Sequence, residues 1–233
     1  MGVILEFKNV NKFFGERQVL KNVNLKIESH KIVGMLGRNG SGKSTLFKLA
    51  NDLLTVSGGE VLVAGRPVSV ESKKMVSFLP ERPYLSPSLK VSDAIKLFET
   101  FYEDFDREKA EKLLIDLKLD KDMRLSKMSK GMKEKVQLVL VMSRHAKLYI
   151  LDEPLGGVDP ASRDYILQTI LKNFDEDATL LISTHMIADI EKILDEVIFI
   201  EDGEIVLQAN ADELRTKENC SIDEIFRRKF YVD

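Results

Sequence analysis

Residues 34–45 read "GMLGRNGSGKST". The apolar run "KIVGML" (31–36) leads into them and a helical pattern opens near Lys43. Between the two, Gly37–Ser44 follows the spacing G-x-x-x-x-G-K-[ST]. Glycines at 37, 40 and 42 free the backbone to curl until successive N–H groups converge, with Arg38, Asn39 and Ser41 filling the loop. Backed by a helix N-terminus, such a curl is a nest for an anion. Lys43 is then placed to reach the β- and γ-phosphates of a nucleotide, Ser44 to offer its hydroxyl to Mg²⁺, and Thr45 to meet the α-phosphate. A glycine-rich turn also serves simply to join a strand to a helix. Lys-Ser-Thr directly after the last glycine argues for phosphate instead.

A phosphate loop of this kind needs a parallel sheet around it, and the flanking sequence supplies one. Short runs rich in Val, Ile and Leu, "MVSFL" (75–79), "KLYIL" (147–151) and "ATLLIS" (178–183), alternate with longer helical patterns, which predicts an α/β fold with buried, mainly parallel strands. Toward the N-terminus, "LEFKNV" and "VLKNVNLKI" alternate apolar with polar residues on either side of Gly15 and predict an antiparallel pair with one wet face. "EVIFIEDGEIVLQA" (196–209) reads as a hairpin turning at Asp202-Gly203. From 87 to 143 the periodicity becomes helical, as in "SLKVSDAIKLFETFYEDF" and "DREKAEKLLIDLKL". The expectation is therefore one domain over 1–233: an α/β core of 1–86 and 144–233, interrupted by a helical subdomain at 87–143. The closing "SIDEIFRRKFYVD" predicts an amphipathic terminal helix.

Two strand ends carry chemistry. In "KLYILDEP" a buried strand delivers Asp152 and Glu153 to its tip, and strand tips beside a phosphate loop are where an α/β sheet binds ligand. Adjacent carboxylates are elsewhere mere surface charge; here Asp152 is placed to hold Mg²⁺ through water and Glu153 to polarise an attacking water. In "LLISTHMIADIE" a second strand ends near His185, which is placed to donate to the γ-phosphate or to that water. A capping or core imidazole is the plainer alternative. His30 and His145 fall at turn positions and read as structural.

Composition narrows the class. The 233 residues carry 35 basic and 38 acidic side chains, a net charge of −3 spread along the chain, which does not favour a nucleic-acid partner. Lys127, Lys130, Lys133 and Lys135 gather in "SKMSKGMKEKV" (126–136), a pattern that by itself reads as a solvated helix face. One cysteine, Cys220, makes no disulfide framework. No apolar run is long enough to span a bilayer and the N-terminus has no signal-peptide pattern, so the expectation is a cytoplasmic protein.

Over nearly its whole length the chain resembles the nucleotide-binding subunit of an ABC transporter. "GRNGSGKST" resembles the Walker A motif, "LYILDE" the Walker B motif with its catalytic Glu153, "GGVD" (156–159) the D-loop ending in Asp159, and His185 the switch histidine. Phe14 in "KFFG" falls where the family stacks an aromatic ring on adenine. The resemblance implies a P-loop NTPase core, ATP and Mg²⁺ as ligands, and two subunits packed head to tail around two ATP.

It departs from the family's common pattern twice. "FLPERP" places Glu81 where the Q-loop glutamine is usual, and a carboxylate there keeps an oxygen near Mg²⁺. "MSKGM" (128–132) stands at the signature position, with Met128, Lys130 and Met132 replacing leucine, glycine and glutamine. Ser129 is still able to cap the following helix. Lys130 opposes the helix dipole at about 0.3–1 kcal/mol, yet adds a cation where the partner's γ-phosphate is expected, and Gly131 keeps the backbone approach open. Short length, "SKGM" and an acidic Q-loop residue look most like the subunits of ABC-2-type exporters. The resemblance implies a membrane-embedded permease subunit, a second nucleotide-binding subunit that is a copy or a paralogue, and a place on the inner face of the membrane. Two other readings share the phosphate loop: a non-transport ABC ATPase with soluble partners, and a small-molecule kinase. Glu153 and the candidate signature helix favour hydrolysis over the kinase.

Overall fold

The alternating N-terminal stretches pair as expected. In the computed structural model, which describes residues 2–230, β1 (Val3–Phe14) and β2 (Arg17–Glu28) run antiparallel about a turn at Gly15, and β2 alternates buried with exposed positions toward its end. After β3 (Ile32–Leu36) and α1 (Lys43–Ala50) the chain returns to this sheet with β4 (Gly58–Val63) and β5 (Arg66–Pro67). The order is β2-β1-β4-β5. The return was not expected from the sequence.

The second sheet carries the site. Following α2 (Val70–Met75) come β6 (Val76–Leu79), α3 (Val91–Phe101), α4 (Arg107–Asp116) and α5 (Lys130–Met142). Then follow β7 (Leu148–Asp152), α6 (Pro160–Asn173), β8 (Thr179–Ser183), α7 (Ile187–Ile190), β9 (Glu196–Glu201), β10 (Glu204–Asn210), α8 (Ala211–Glu218) and α9 (Ile222–Phe230). Strands run in the order β10-β9-β3-β8-β7-β6, parallel except for β10, which folds back on β9. Asp202 and Gly203 both take positive φ, 45° and 84°, as that tight hairpin turn requires.

Period-two alternation sorts the parallel strands between two apolar layers. Leu148, Ile150, Leu181, Ile198 and Ile200 face the first sheet and α1, packing on Leu5, Phe7 and Phe47. Tyr149, Leu151, Leu180, Ile182, Val197 and Phe199 face the helices from α3 onward. Each such side chain taken out of water contributes roughly 1.5–3 kcal/mol. α9 lies on this second layer, with Phe226 and Phe230 at 5.5 and 5.8 Å from the Phe199 ring; residues 231–233 of the expected terminal helix lie outside the described residues.

α3, α4 and α5 stand between β6 and β7 in chain order, as the change of periodicity implied. A buried arginine ties them to the sheet. Arg144, 2 % exposed, donates to both Asp104 carboxylate oxygens at 3.0 Å, to the Lys74 carbonyl at 2.8 Å and to the Val76 carbonyl at 2.6 Å, and stacks on the Tyr102 ring at 3.8 Å. Every charge-bearing face of that guanidinium therefore has a partner, which is what burial of a cation demands.

Candidate active site

β3, β6, β7 and β8 end at one edge of the sheet, and a cavity of about 690 Å³ opens above them. β3 gives way to the loop 37–42. A Cβ on Gly37 would lie 2.5 Å from the Ile200 carbonyl oxygen, and Gly42 takes φ 114° with a Cβ position 2.8 Å from Leu20. Glycine is therefore required at both positions. The β9–β10 hairpin holds the loop from below: Gly203 N–H donates to the Ser41 carbonyl at 3.0 Å. Gly42 is the N-cap of α1 and brings no capping side chain. Asn39, Gly40, Gly42, Lys43, Ser44 and Thr45 all line the cavity.

Lys43 is buried, and its ammonium donates to the Gly37 carbonyl at 2.7 Å and the Arg38 carbonyl at 3.3 Å. Burial pushes its pKa below the ordinary lysine value, and the carboxylates of Glu153, Asp152 and Glu81 oppose that shift. These three acids belong to the same cavity wall.

At the tip of β7, Asp152 is buried, and its Oδ1 accepts from Ser183 Oγ at 2.7 Å. The chain then turns sharply: Glu153 takes φ 52°, a left-handed conformation that costs a non-glycine residue about 1–2 kcal/mol. Its N–H donates to Ser183 Oγ at 3.0 Å and to the Ser183 carbonyl at 3.2 Å. That turn carries Glu153 Oε2 to 2.8 Å from His185 Nδ1, and the His185 N–H reaches the same oxygen at 3.3 Å. Glu153 Oε1 is buried with no hydrogen-bond partner among the described residues. A fixed carboxylate with one unpartnered oxygen is ready to accept a proton.

Match to known sequences follows this geometry. The family model described as "ABC transporter" aligns with residues 20–156, more than half of the chain. The chain belongs to the ABC transporter family.

It is an ATP-binding ATPase subunit of that family. It is 29% identical over 233 residues to the lantibiotic transport ATP-binding protein SrtF of Streptococcus pyogenes, covering 97% of this chain and 99% of that one. To the Nod factor export ATP-binding protein I of Cupriavidus metallidurans it is 26% identical, covering 97% and 78%. A solved structure titled an ATP binding subunit of an ABC transporter superposes with a TM-score of 0.86 at 26% identity, covering 97% of this chain and 98% of that one.

Of the residues singled out in the sequence, this ABC subunit gathers Phe14, Asn39, Gly40, Gly42, Lys43, Ser44, Thr45, Glu81, Lys130, Asp152, Glu153 and His185 around the one cavity. Gly37 and Ser41 are the buried positions of the loop outside the lining, and Arg38 contributes its carbonyl to Lys43. Ser129, Gly131 and Asp159 are outside the lining. Ser129 caps α5, accepting from Met132 N–H at 3.2 Å, and Asp159 caps α6, accepting from Ser162 N–H at 3.2 Å.

The lysine-rich stretch is only partly a solvated face, because Lys130 and Lys135 line the cavity while Lys133 and Lys135 are half-buried. Arg17, Glu134 and Gln137 also line it and carried no sequence signal. Glu134 lies across Gly157, where a Cβ would sit 2.2 Å from its carboxylate. Its other neighbour is Lys130, at 3.7 Å.

Hard oxygen donors suited to Mg²⁺ are present in Ser44, Asp152 and Glu81 on this wall. Asp152 Oδ1 is occupied by Ser183, while its second oxygen makes no hydrogen bond among the described residues. No three His, Cys, Asp or Glu side chains among the described residues form a cage.

Proposed function

We propose that this subunit is the ATP-driven motor of an exporter, acting as one of two nucleotide-binding subunits on a separate membrane-embedded subunit. The observation that carries the proposal is Glu153, held 2.8 Å from His185 Nδ1 with an Oε1 that has no hydrogen-bond partner among the described residues, in the cavity that the phosphate loop also lines. Phe14 stacks on adenine. Lys43 and the N–H groups of residues 39–44 hold the β- and γ-phosphates, and Thr45 meets the α-phosphate.

Glu153 takes a proton from water as the water oxygen bonds to the γ-phosphorus. The bond from that phosphorus to the β–γ bridging oxygen breaks, leaving ADP and inorganic phosphate. His185 keeps Glu153 in place and donates toward the γ-phosphate. Ser44 and Asp152 would hold Mg²⁺, with Glu81 beside them, and the ion would supply charge neutralisation to the phosphates.

Site groups left open to solvent support completion by a second copy or a paralogue: Phe14 is 48% exposed, and the His185 and Lys130 side chains are 55% and 75% exposed. In such a pair Ser129, Lys130 and Gly131, on the segment 87–143, meet the partner's ATP, and Asp159 lies at the contact. A second cavity, of about 720 Å³, shares Ser44, Glu81 and Asp152 with the first and carries Leu53 and Tyr84 on its wall, both more than half exposed. This is where the membrane subunit is placed, at the cytoplasmic face of the membrane, so that a change at Glu81 is felt on both sides. Similarity to proteins of lantibiotic transport and Nod factor export supports the outward direction.

Glu153→Gln tests the chemistry. Phosphate release is expected to fall by about 10²–10⁴-fold while ATP binding persists and ATP-driven dimers accumulate. Near-normal turnover would remove Glu153 as the base. Purification from detergent extract tests the assembly: a co-purifying membrane subunit supports it, and soluble partners alone would refute it.

A further inference from the structure

Ser183 is fully buried and sits at the register position beside Asp152 on the neighbouring parallel strand. Its hydroxyl touches both acids of the Walker B tip through different atoms. The hydroxyl has one proton, and the Asp152 carboxylate is placed to accept it, so the 2.7 Å contact is Ser183 Oγ–H donating to Asp152 Oδ1. The Ser183 oxygen then has lone pairs left for the Glu153 N–H at 3.0 Å. The order Glu153 N–H, Ser183 O–H, Asp152 carboxylate has a single direction, and no rotation of the hydroxyl satisfies both neighbours otherwise.

We propose that Ser183 is a positioning residue that makes the metal-side carboxylate and the catalytic base one unit. By occupying Oδ1 it presents Asp152 to the cavity through its other oxygen alone. By accepting the Glu153 N–H it helps hold the left-handed turn, φ 52°, that aims Glu153 at His185. Ser183 itself is absent from the cavity lining. The inference rests on reading Asp152 as the carboxylate on the Mg²⁺ side.

The test uses Mn²⁺ as the probe, titrated by electron paramagnetic resonance into the full chain with a non-hydrolysable ATP analogue. Partners that orient a metal-side ligand typically change affinity 10–100-fold. Ser183→Ala is expected to weaken Mn²⁺ binding about tenfold and to leave nucleotide affinity in EDTA within about twofold, because Lys43 and the phosphate loop are untouched. Glu153 N–H keeps the Ser183 carbonyl as acceptor in that variant, so folding persists.

Ser183→Cys, close to serine in size but a weak donor, is expected to show a smaller loss and serves where the alanine variant misfolds. Ser183→Thr, which keeps the hydroxyl, is expected to bind Mn²⁺ within about threefold of the parent. Parental Mn²⁺ affinity in Ser183→Ala overturns the inference, as does equal loss of metal and metal-free nucleotide binding. Asp152→Asn separates the two levels. If it loses Mn²⁺ affinity while Ser183→Ala does not, Ser183 alone is wrong. If Asp152→Asn also binds normally, the reading of Asp152 fails with it.

Discussion

Two helices of this subunit begin at the same cavity, and they begin differently. α1 starts from Gly42, whose left-handed backbone provides no side-chain cap and no acid in the first turn. On the proposed function its donors are the ones that meet the nucleotide phosphates. α5 starts from Ser129, which satisfies the Met132 N–H itself, and its first-turn cation Lys130 is among the most exposed groups of the site. A helix start that meets its anion within one chain stays uncapped and is stabilised by that anion. On the same proposal α5 meets an anion only in an assembled pair, so it has to be stable alone.

The largest test of that contrast lies at α1. Lys43→Met is expected to weaken ATP binding by about 100-fold, the scale of hydrogen bonds to a charged group. It should also raise the melting temperature of the nucleotide-free chain. The sign follows from burial: the folded-state pKa of Lys43 lies below the ordinary value of 10.5, so the unfolded chain holds the proton more tightly and the charged ammonium destabilises the fold at neutral pH. That penalty fades as pH rises through the folded pKa toward 10.5, so parent and variant should converge there in thermal scans. A variant that melts below the parent at neutral pH would mean that α1 is not under-stabilised without its ligand.

Lys130→Gly reverses the expectation. The chain concentration needed for ATP-driven dimerisation, followed by light scattering, should rise about tenfold, the equivalent of roughly 1.4 kcal/mol. Melting without ATP should hardly change, since exposed pairs such as Lys130–Glu134 contribute little. Destabilised monomer with unchanged dimerisation would return Lys130 to a solvated face. The smallest effect belongs to Ser129→Ala, which removes a cap worth about 1 kcal/mol and should lower the nucleotide-free melting temperature by about 2–4 °C. No shift would show that α5 does not depend on its own cap.

Legibility in the sequence followed the range of the interactions. The phosphate loop is set by glycines and a lysine within a few residues of one another, and the strand before it and the helix after it fell where the pattern put them. Short apolar runs placed β3, β7 and β8, and Asp202-Gly203 placed the β9–β10 hairpin, within a residue or two for the same reason. β4 and β5 escaped because "SGGEVLVAGRP" (57–67) is a short run set among glycines, and its strand character comes from pairing with β1. Glu153 and His185 were each visible as strand-end residues, but their direct contact depends on the positive φ at Glu153, which no local residue type announces. Glu134 over Gly157 and Arg144 over Asp104 join segments far apart in the chain. Nothing in "KEKVQ" or "MSRHA" marks either one.

Arg144 has a consequence for how the molecule opens. Its guanidinium fastens Asp104, ahead of α4, to the carbonyls of Lys74 and Val76, where α2 passes into β6. Any swing of the α3–α5 segment over the sheet must therefore pivot at this buried staple or rupture it, leaving a desolvated cation behind. The end of α2, the start of β6 and the loop at Asp104 should then lose amide protection together, as one cooperative opening unit, even though the residues between them fluctuate separately.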